Sequence, residues 1–204
     1  MSGLRGALAL PAVYRRFQAL IGGGSRARYV REHLRPVPGL RVFDIGCGPG
    51  EFAALLPAAE YTGLDLSAAY IEAARAKFGD RARFICGDVS STELDGEAGY
   101  DLVTANGVLH HLPDETVRGA FALANRLLRP GGRFVSIDPA FVVGQSRIAR
   151  LLARMDRGLH VRHAEEYAKL AVPFFSSVAP VVRHDLLRVP YTHVILECST
   201  GARE

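Results

Sequence analysis

Residues Val42 to Phe52 read VFDIGCGPGEF. A short apolar run, Leu40-Arg41-Val42-Phe43-Asp44-Ile45, ends in a carboxylate, and Gly46, Gly48 and Gly50 follow at alternate positions. The run predicts a buried strand, and Phe52 to Leu56 predicts the start of a helix. Glycine in the intervening turn lets backbone approach a ligand closely and adopt φ values closed to side chains. The ligand is not expected to be a dinucleotide. The spacing G-x-G-x-x-G calls for glycine at position 51, where this chain has Glu51. A carboxylate at a helix N-terminus competes with the pyrophosphate such a site must hold. With Asp44 nearby, the turn suits a ligand that carries positive charge and no phosphate.

Downstream, three more strands end in polar residues. Tyr61-Thr62-Gly63-Leu64 ends at Asp65, 21 residues after Asp44, with Leu66 beside it. An acid about 20 residues past such a turn is placed to accept hydrogen bonds from ribose hydroxyls. Arg83-Phe84-Ile85-Cys86 leads to Gly87-Asp88-Val89, and Tyr100 to Ala105 leads to Asn106-Gly107-Val108-Leu109-His110-His111-Leu112. Leu127 to Val135 then reads as helix, Pro-Gly-Gly turn and strand. Taken singly, Asp65 fits the N-cap neighbourhood of a helix started by Ser67, and Asp88 fits a turn. Their joint order at successive strand ends carries the weight.

This series resembles the class I S-adenosylmethionine-dependent methyltransferases over roughly residues 40 to 138. The resemblance implies a doubly wound, seven-stranded, mostly parallel sheet of Rossmann-like α/β fold, closed by a terminal antiparallel hairpin. It implies S-adenosylmethionine as cofactor, held by Asp44, Gly46, Cys47, Gly48, Gly50, Asp65, Leu66, Asp88, Val89 and Asn106. Asp88 would read the exocyclic amine of adenine while its neighbour packs on the ring. Cys47 is expected to pack rather than react. His110 and His111 emerge where the methyl group would project, so either is a candidate base for a hydroxyl acceptor, His111 slightly ahead. The competing reading has one of them capping or packing against the helix that starts near Pro113-Asp114.

The chain reads as a single methyltransferase domain of 204 residues. Its expected parts are an N-terminal helical cap (1–39), a cofactor-binding core (40–138), a helical insert (139–180) and a C-terminal hairpin (181–204). In the cap, Tyr14, Phe17, Ile21 and then Tyr29, Val30, His33, Leu34 recur at helical spacing around Gly22-Gly23-Gly24, a turn or hinge, with Ser25 as N-cap. In the insert, Gln145 to Gly158 predicts a helix with Ile148, Leu151, Leu152 and Met155 on one face, and a shorter one covers Ala164 to Leu170. Resemblance makes this insert part of the acceptor pocket, with Arg154, Arg157, His160, Arg162 and His163 on it. The last strands are expected at Val181 to Val189 and Thr192 to Cys198.

Charge is unevenly spread. Residues 1–41 hold eight arginines and one acid, residues 42–142 eight basic and fourteen acidic residues, and residues 143–204 nine and six. Basic flanks around an acidic core would draw in an anionic acceptor. No apolar run reaches the roughly 18 residues of a membrane span, and Pro11 with Arg15 and Arg16 spoils Ala7 to Val13 as a secretory signal. The expectation is therefore a cytoplasmic transferase with no membrane partner. Cys47, Cys86 and Cys198 show neither metal-ligand spacing nor an even count for disulfides, and no metal is expected. Asn106-Gly107-Val108-Leu109 lacks the N-P-P-Y-like signature of amino-methyltransferases. No cysteine nucleophile stands at that strand end, and no RNA-binding module or aromatic platform accompanies the arginines. These exclusions favour a small-molecule acceptor and no nucleic-acid partner, and the histidines put oxygen ahead of nitrogen or carbon as the methylated atom. The alternatives are an RNA- or protein-directed methyltransferase docked through its basic ends, or a catalytically silent S-adenosylmethionine-binding module.

Overall fold

The computed structural model describes residues 24–89, 94, 98–156 and 158–201. Tyr14, Phe17, Ile21, Gly22, Gly23 and Arg157 lie outside the described residues. Helix α1 (Ser25–Tyr29) runs on into one π-helical turn (Val30–Leu34). Strand β1 (Arg41–Ile45), β2 (Glu60–Asp65), α2 (Ala68–Phe78), β3 (Arg83–Cys86), β4 (Tyr100–Asn106), α3 (Asp114–Leu127) and β5 (Leu128–Phe141) follow. The insert supplies α4 (Arg147–Arg154), the two-residue β6 (Arg162–His163) and α5 (Ala164–Ala171), before β7 (Ser177–Arg183) and β8 (His193–Ser199).

The main sheet runs β3-β2-β1-β4-β5-β8-β7, with β6 pairing to β5 off this path. The first five strands are mutually parallel; β8 joins β5 antiparallel and β7 joins β8 antiparallel. The expected sheet and edge hairpin are both present. Parallel strands bury both faces, and β1 is buried from Val42 to Ile45. Its neighbours Val42 and Phe43 enter two different core clusters, one on each face. One cluster packs α2 through Ile71, Ala74 and Phe78, and the other packs α3 through Val117, Phe121, Ala124 and Leu127. Strand order reverses between β1 and β4, so a crevice opens at their carboxyl ends, the usual ligand position in open α/β sheets.

Four local expectations need correction. Beyond Phe52 only one 3₁₀ turn forms, Ala53–Leu55, because Pro57 disfavours helical geometry at Leu56, which sits at φ −124°. The N-cap of α1 is Gly24 at φ 85°, with Ser25 already helical. Helix α4 is shorter than expected, starting after Ser146, whose hydroxyl accepts from the Ala149 amide at 3.1 Å. Its inward face is Ala149 and Ala153 with Leu152 half-buried, while Ile148, Leu151 and Met155 are exposed. The hairpin strand β7 begins before Pro180 and stops at Arg183. Proline is tolerated there because β7 is an edge strand.

Candidate functional site

The tips of β1, β2 and β4 gather one hydrogen-bonded polar cluster. Asp44 closes β1 and is 1% exposed. It accepts from the Tyr61 hydroxyl and, at 3.3 Å, from the Asn106 side-chain amide at the end of β4. Those partners are neutral. Burial pushes the Asp44 carboxyl up to about 7, against the lowering effect of both hydrogen bonds, and the nearby Asp65 charge adds to the rise. A buried acid without a cationic partner is complementary to a positively charged ligand.

The glycine turn follows directly. Gly46 and Cys47 donate to the Leu64 carbonyl at 2.7 and 3.0 Å, stitching the turn to β2. At Gly46, φ is +69° and an added Cβ would lie 2.5 Å from Val108, so only glycine fits. At Gly48 an added Cβ would meet nothing within 4 Å; this part of the turn faces open space. Gly50 closes the turn by donating to the Cys47 carbonyl at 3.1 Å. Cys47 is buried, and burial pushes its thiol far above the ordinary range, so it packs as an inert side chain. Asp65 accepts from the Gly48 amide and the Ser67 amide, both at 2.8 Å, tying β2, the turn and the start of α2 together. Beside it Leu66 is 71% exposed. Asp88 and Val89, both half-buried, follow β3 at the same sheet end, where the Gly87 amide donates to the Asp65 carbonyl at 3.0 Å. The ten candidates thus lie near the end of β1 and in the turn after it, and at or just after the carboxyl ends of β2, β3 and β4. An acidic cradle of bare backbone suits a sulfonium nucleoside.

The N-terminal helix walls one side of this cradle. The buried Tyr29 donates its hydroxyl to Asn106 at 2.7 Å, and Arg26 pairs with Glu51 of the glycine turn at 2.6 Å. On the other side α1 is anchored to the hairpin. Arg28 pairs with Asp185, Arg183 with Glu32 at 2.9 Å, and His33 with Glu197 at 2.7 Å. Arg133 donates to the carbonyls of His33 and Leu34 at 3.1 and 2.8 Å, covering the helix C-terminus.

The two histidines have different surroundings. His110 is buried, and both ring nitrogens meet carboxylates: Nδ1 lies 2.8 Å from Asp138 and Nε2 lies 3.2 Å from Asp156. Burial alone would lower its proton affinity, but hydrogen bonds and charge from Asp138 and Asp156 outweigh that and carry it up to about 9. His111 is exposed, its ring centroid 4.0 Å from that of His110. Partial burial and then the His110 charge hold it below the ordinary imidazole value. Of the insert residues, Arg162 is consumed internally. It binds Asp114 at 2.7 Å and the carbonyls of Leu109 and Leu112 at 3.0 and 2.7 Å. Tyr61, read there only as a strand residue, and Asp138, Asp156 and Tyr191 are not among the site residues expected from the sequence. Nothing but three-dimensional proximity ties them to the site.

Asp44 makes stability depend on pH. A carboxyl raised to about 7 from an unfolded value of about 3.9 contributes stability that is full below pH ~4 and lost as pH rises through 7. About three units at ~1.4 kcal/mol each give roughly 4 kcal/mol. Without ligand, Asp44→Asn should therefore gain stability relative to the parent as pH rises from about 4 to 7, approaching that amount. Paired denaturant melts check this; a difference flat in pH would contradict the assignment.

Comparison with known proteins matches residues 42–132 to a family model described as a methyltransferase domain. The chain is 38% identical over 129 residues to trans-aconitate 2-methyltransferase of Methylobacterium radiotolerans, covering 60% of this chain and 46% of that protein. It is 32% identical over 159 residues to the ubiquinone biosynthesis O-methyltransferase of Xanthomonas axonopodis pv. citri, covering 72% and 63%. The chain spans about half the length of the curated relatives it matches. In structure it resembles a TehB-like S-adenosylmethionine-dependent methyltransferase of Corynebacterium glutamicum (TM-score 0.65, 20% identity, 93% and 97% of the two chains). It also resembles the methyltransferase SibL (TM-score 0.73, 19% identity, 98% and 61%).

Proposed function

The core of this chain belongs to the class I S-adenosylmethionine-dependent methyltransferases, and from that premise we propose that the protein methylates a hydroxyl oxygen of a small-molecule acceptor. The observation that carries this reading is the cradle at the β1 and β4 tips, with His111 exposed on the loop that follows β4. Asp65 would hold the ribose hydroxyls through lone pairs not used by Gly48 and Ser67. Asp88 would take the adenine amine, and Leu66 and Val89 would pack on its ring. Asp44 and Asn106 would serve the cationic methionine end. When bound, S-adenosylmethionine supplies a methyl carbon already activated by its sulfonium.

The side chains then have two tasks. The pocket aligns the acceptor oxygen with the methyl carbon and sulfur, which supplies much of the acceleration. His111, neutral at physiological pH, takes the acceptor's proton on a ring nitrogen as the oxygen–carbon bond forms and the carbon–sulfur bond breaks. The α1 arginines are largely spent on internal pairs, which favours a small acceptor over a docked macromolecule. Arg147, Arg150 and Arg154 on α4 have no ion-pair partner among the described residues and remain to attract an anionic acceptor.

Calorimetric titration with S-adenosylmethionine, followed by transfer of its isotope-labelled methyl group to a panel of phenols, hydroxy acids and carboxylic acids, tests the reading. The NMR shift of the transferred carbon distinguishes oxygen from nitrogen or carbon attachment. Absence of cofactor binding, or transfer only to RNA or protein, would overturn it.

A further inference from the structure

We propose that Asp156, supplied by the segment just after α4, is a positioning residue for the base: with Asp138 it grips both ring nitrogens of His110, and the imidazolium fixed between them repels a second proton from His111. This rests on reading His111 as the base.

The grip is geometric. An imidazole can donate from both nitrogens only when both carry hydrogen, so two flanking carboxylates select the cation. Asp138 Oδ1 lies 2.8 Å from Nδ1 and also accepts the His110 backbone amide at 3.1 Å. Asp156 Oδ1 lies 3.2 Å from Nε2 and accepts the Gly158 amide at 2.9 Å, while its Oδ2 accepts the Tyr191 hydroxyl at 2.9 Å. The same segment holds the His110 backbone, since the His160 amide donates to the His110 carbonyl at 2.9 Å. Gly158 is pressed against the ring: a Cβ there would lie 2.1 Å from His110 Cδ2. His110 therefore has one orientation, fixed by β5, the insert and the loop before β8.

Other charged or titratable groups around the clamp are few. Arg162 sits on the Leu109 and Leu112 carbonyls and is neutralised by Asp114. Tyr167 adjoins Asp138 and donates to the Pro139 carbonyl at 3.2 Å. His193 lies beside Tyr191 with the two rings tilted by 48°, and burial, chiefly, pushes it down to about 4, so it stays neutral. Among the described residues the positive charge that adjoins His111 is thus His110, 4.0 Å away between ring centroids.

The test is an NMR titration of the histidine ring protons in the full chain without cofactor or acceptor. Single replacements by asparagine assign His110 and His111. The proposal expects His110 to stay protonated up to about pH 9 and His111 to lose its proton below the ordinary ~6.5. In Asp156→Asn, the His110 midpoint should fall by a unit or more. Without that charge His111 moves back toward ~6.5, so the acid limb of the kcat–pH profile should shift to higher pH and kcat near pH 6 should fall severalfold, with KM and cofactor affinity unchanged, and Asp156→Glu should restore the parent profile. Ordinary titration of His110 in the parent, or an Asp156→Asn variant with unaltered titration and kcat, overturns the proposal and leaves the base reading intact. The expected titration combined with full turnover by His111→Ala overturns both the base and the role of Asp156 toward it.

Discussion

Replacing His111 by alanine should lower turnover roughly 10²- to 10⁴-fold, the range lost with a general base, while leaving S-adenosylmethionine affinity and melting temperature unchanged. The side chain is exposed and its backbone amide keeps its 3.0 Å bond to the Val108 carbonyl whatever residue stands there. His110→Ala should instead lower the melting temperature. It strands Asp138 and Asp156 without their shared cation, and breaking a buried pair costs about 3–5 kcal/mol. Steady-state kinetics, calorimetry and thermal melts on the two variants separate the roles. The experiment also reads the acceptor. A carboxylic acid is already ionised at neutral pH and needs no base. Turnover retained by His111→Ala would thus remove the hydroxyl reading and leave methyl transfer to a carboxylate.

Why these two histidines could not be told apart from their sequence is a matter of distance along the chain. They are adjacent in one short motif, and what separates them arrives from β5 and from the insert. The cradle was legible for the converse reason. Parallel strands buried on both faces write themselves as largely apolar runs, and each run here carries its polar site residue at or next to its end: Asp44, Asp65, Asn106. Helix α4 misled because Ile148, Leu151 and Met155 have the period of a core face, whereas Ala149 and Ala153 are the residues it buries. Hydrophobic period reports that a helix has two faces; it does not say which one packs. Strand β7, expected at Val181 to Val189, instead starts at Ser177 and passes through Pro180, which an edge strand tolerates.

The anchoring of α1 extends the same point to the basic flank. Its arginines read as a surface for attracting anions, yet Arg26, Arg28 and Arg35 spend their charge on Glu51, Asp185 and Glu197. The result is a wall rather than a docking patch: α1 is held to the glycine turn at one side and to the hairpin at the other. Tyr29, the buried residue at its centre, then reaches Asn106 and through it Asp44. Cofactor binding at Asp44 would be felt by α1 through this chain of three side chains.

Asp65→Ala should weaken S-adenosylmethionine binding by about 3 kcal/mol, roughly a hundredfold. Each ribose hydroxyl left without its acceptor in a desolvated site costs about 1–3 kcal/mol. The Gly48 and Ser67 amides lose their 2.8 Å acceptor in the same stroke, loosening the turn that must approach the ligand. Asp65→Asn, which keeps one acceptor oxygen, should fall between parent and alanine variant. Because the ribose is common to substrate and demethylated product, Asp65→Ala should weaken both equally. Asp44→Asn should weaken S-adenosylmethionine more than the product, which lacks the sulfonium charge. Calorimetric titration of both ligands into both variants measures the two ratios. A parent-like affinity in Asp65→Ala, or a loss confined to the sulfonium ligand, would move Asp65 out of the ribose site and return it to a purely local role holding the glycine turn against the start of α2.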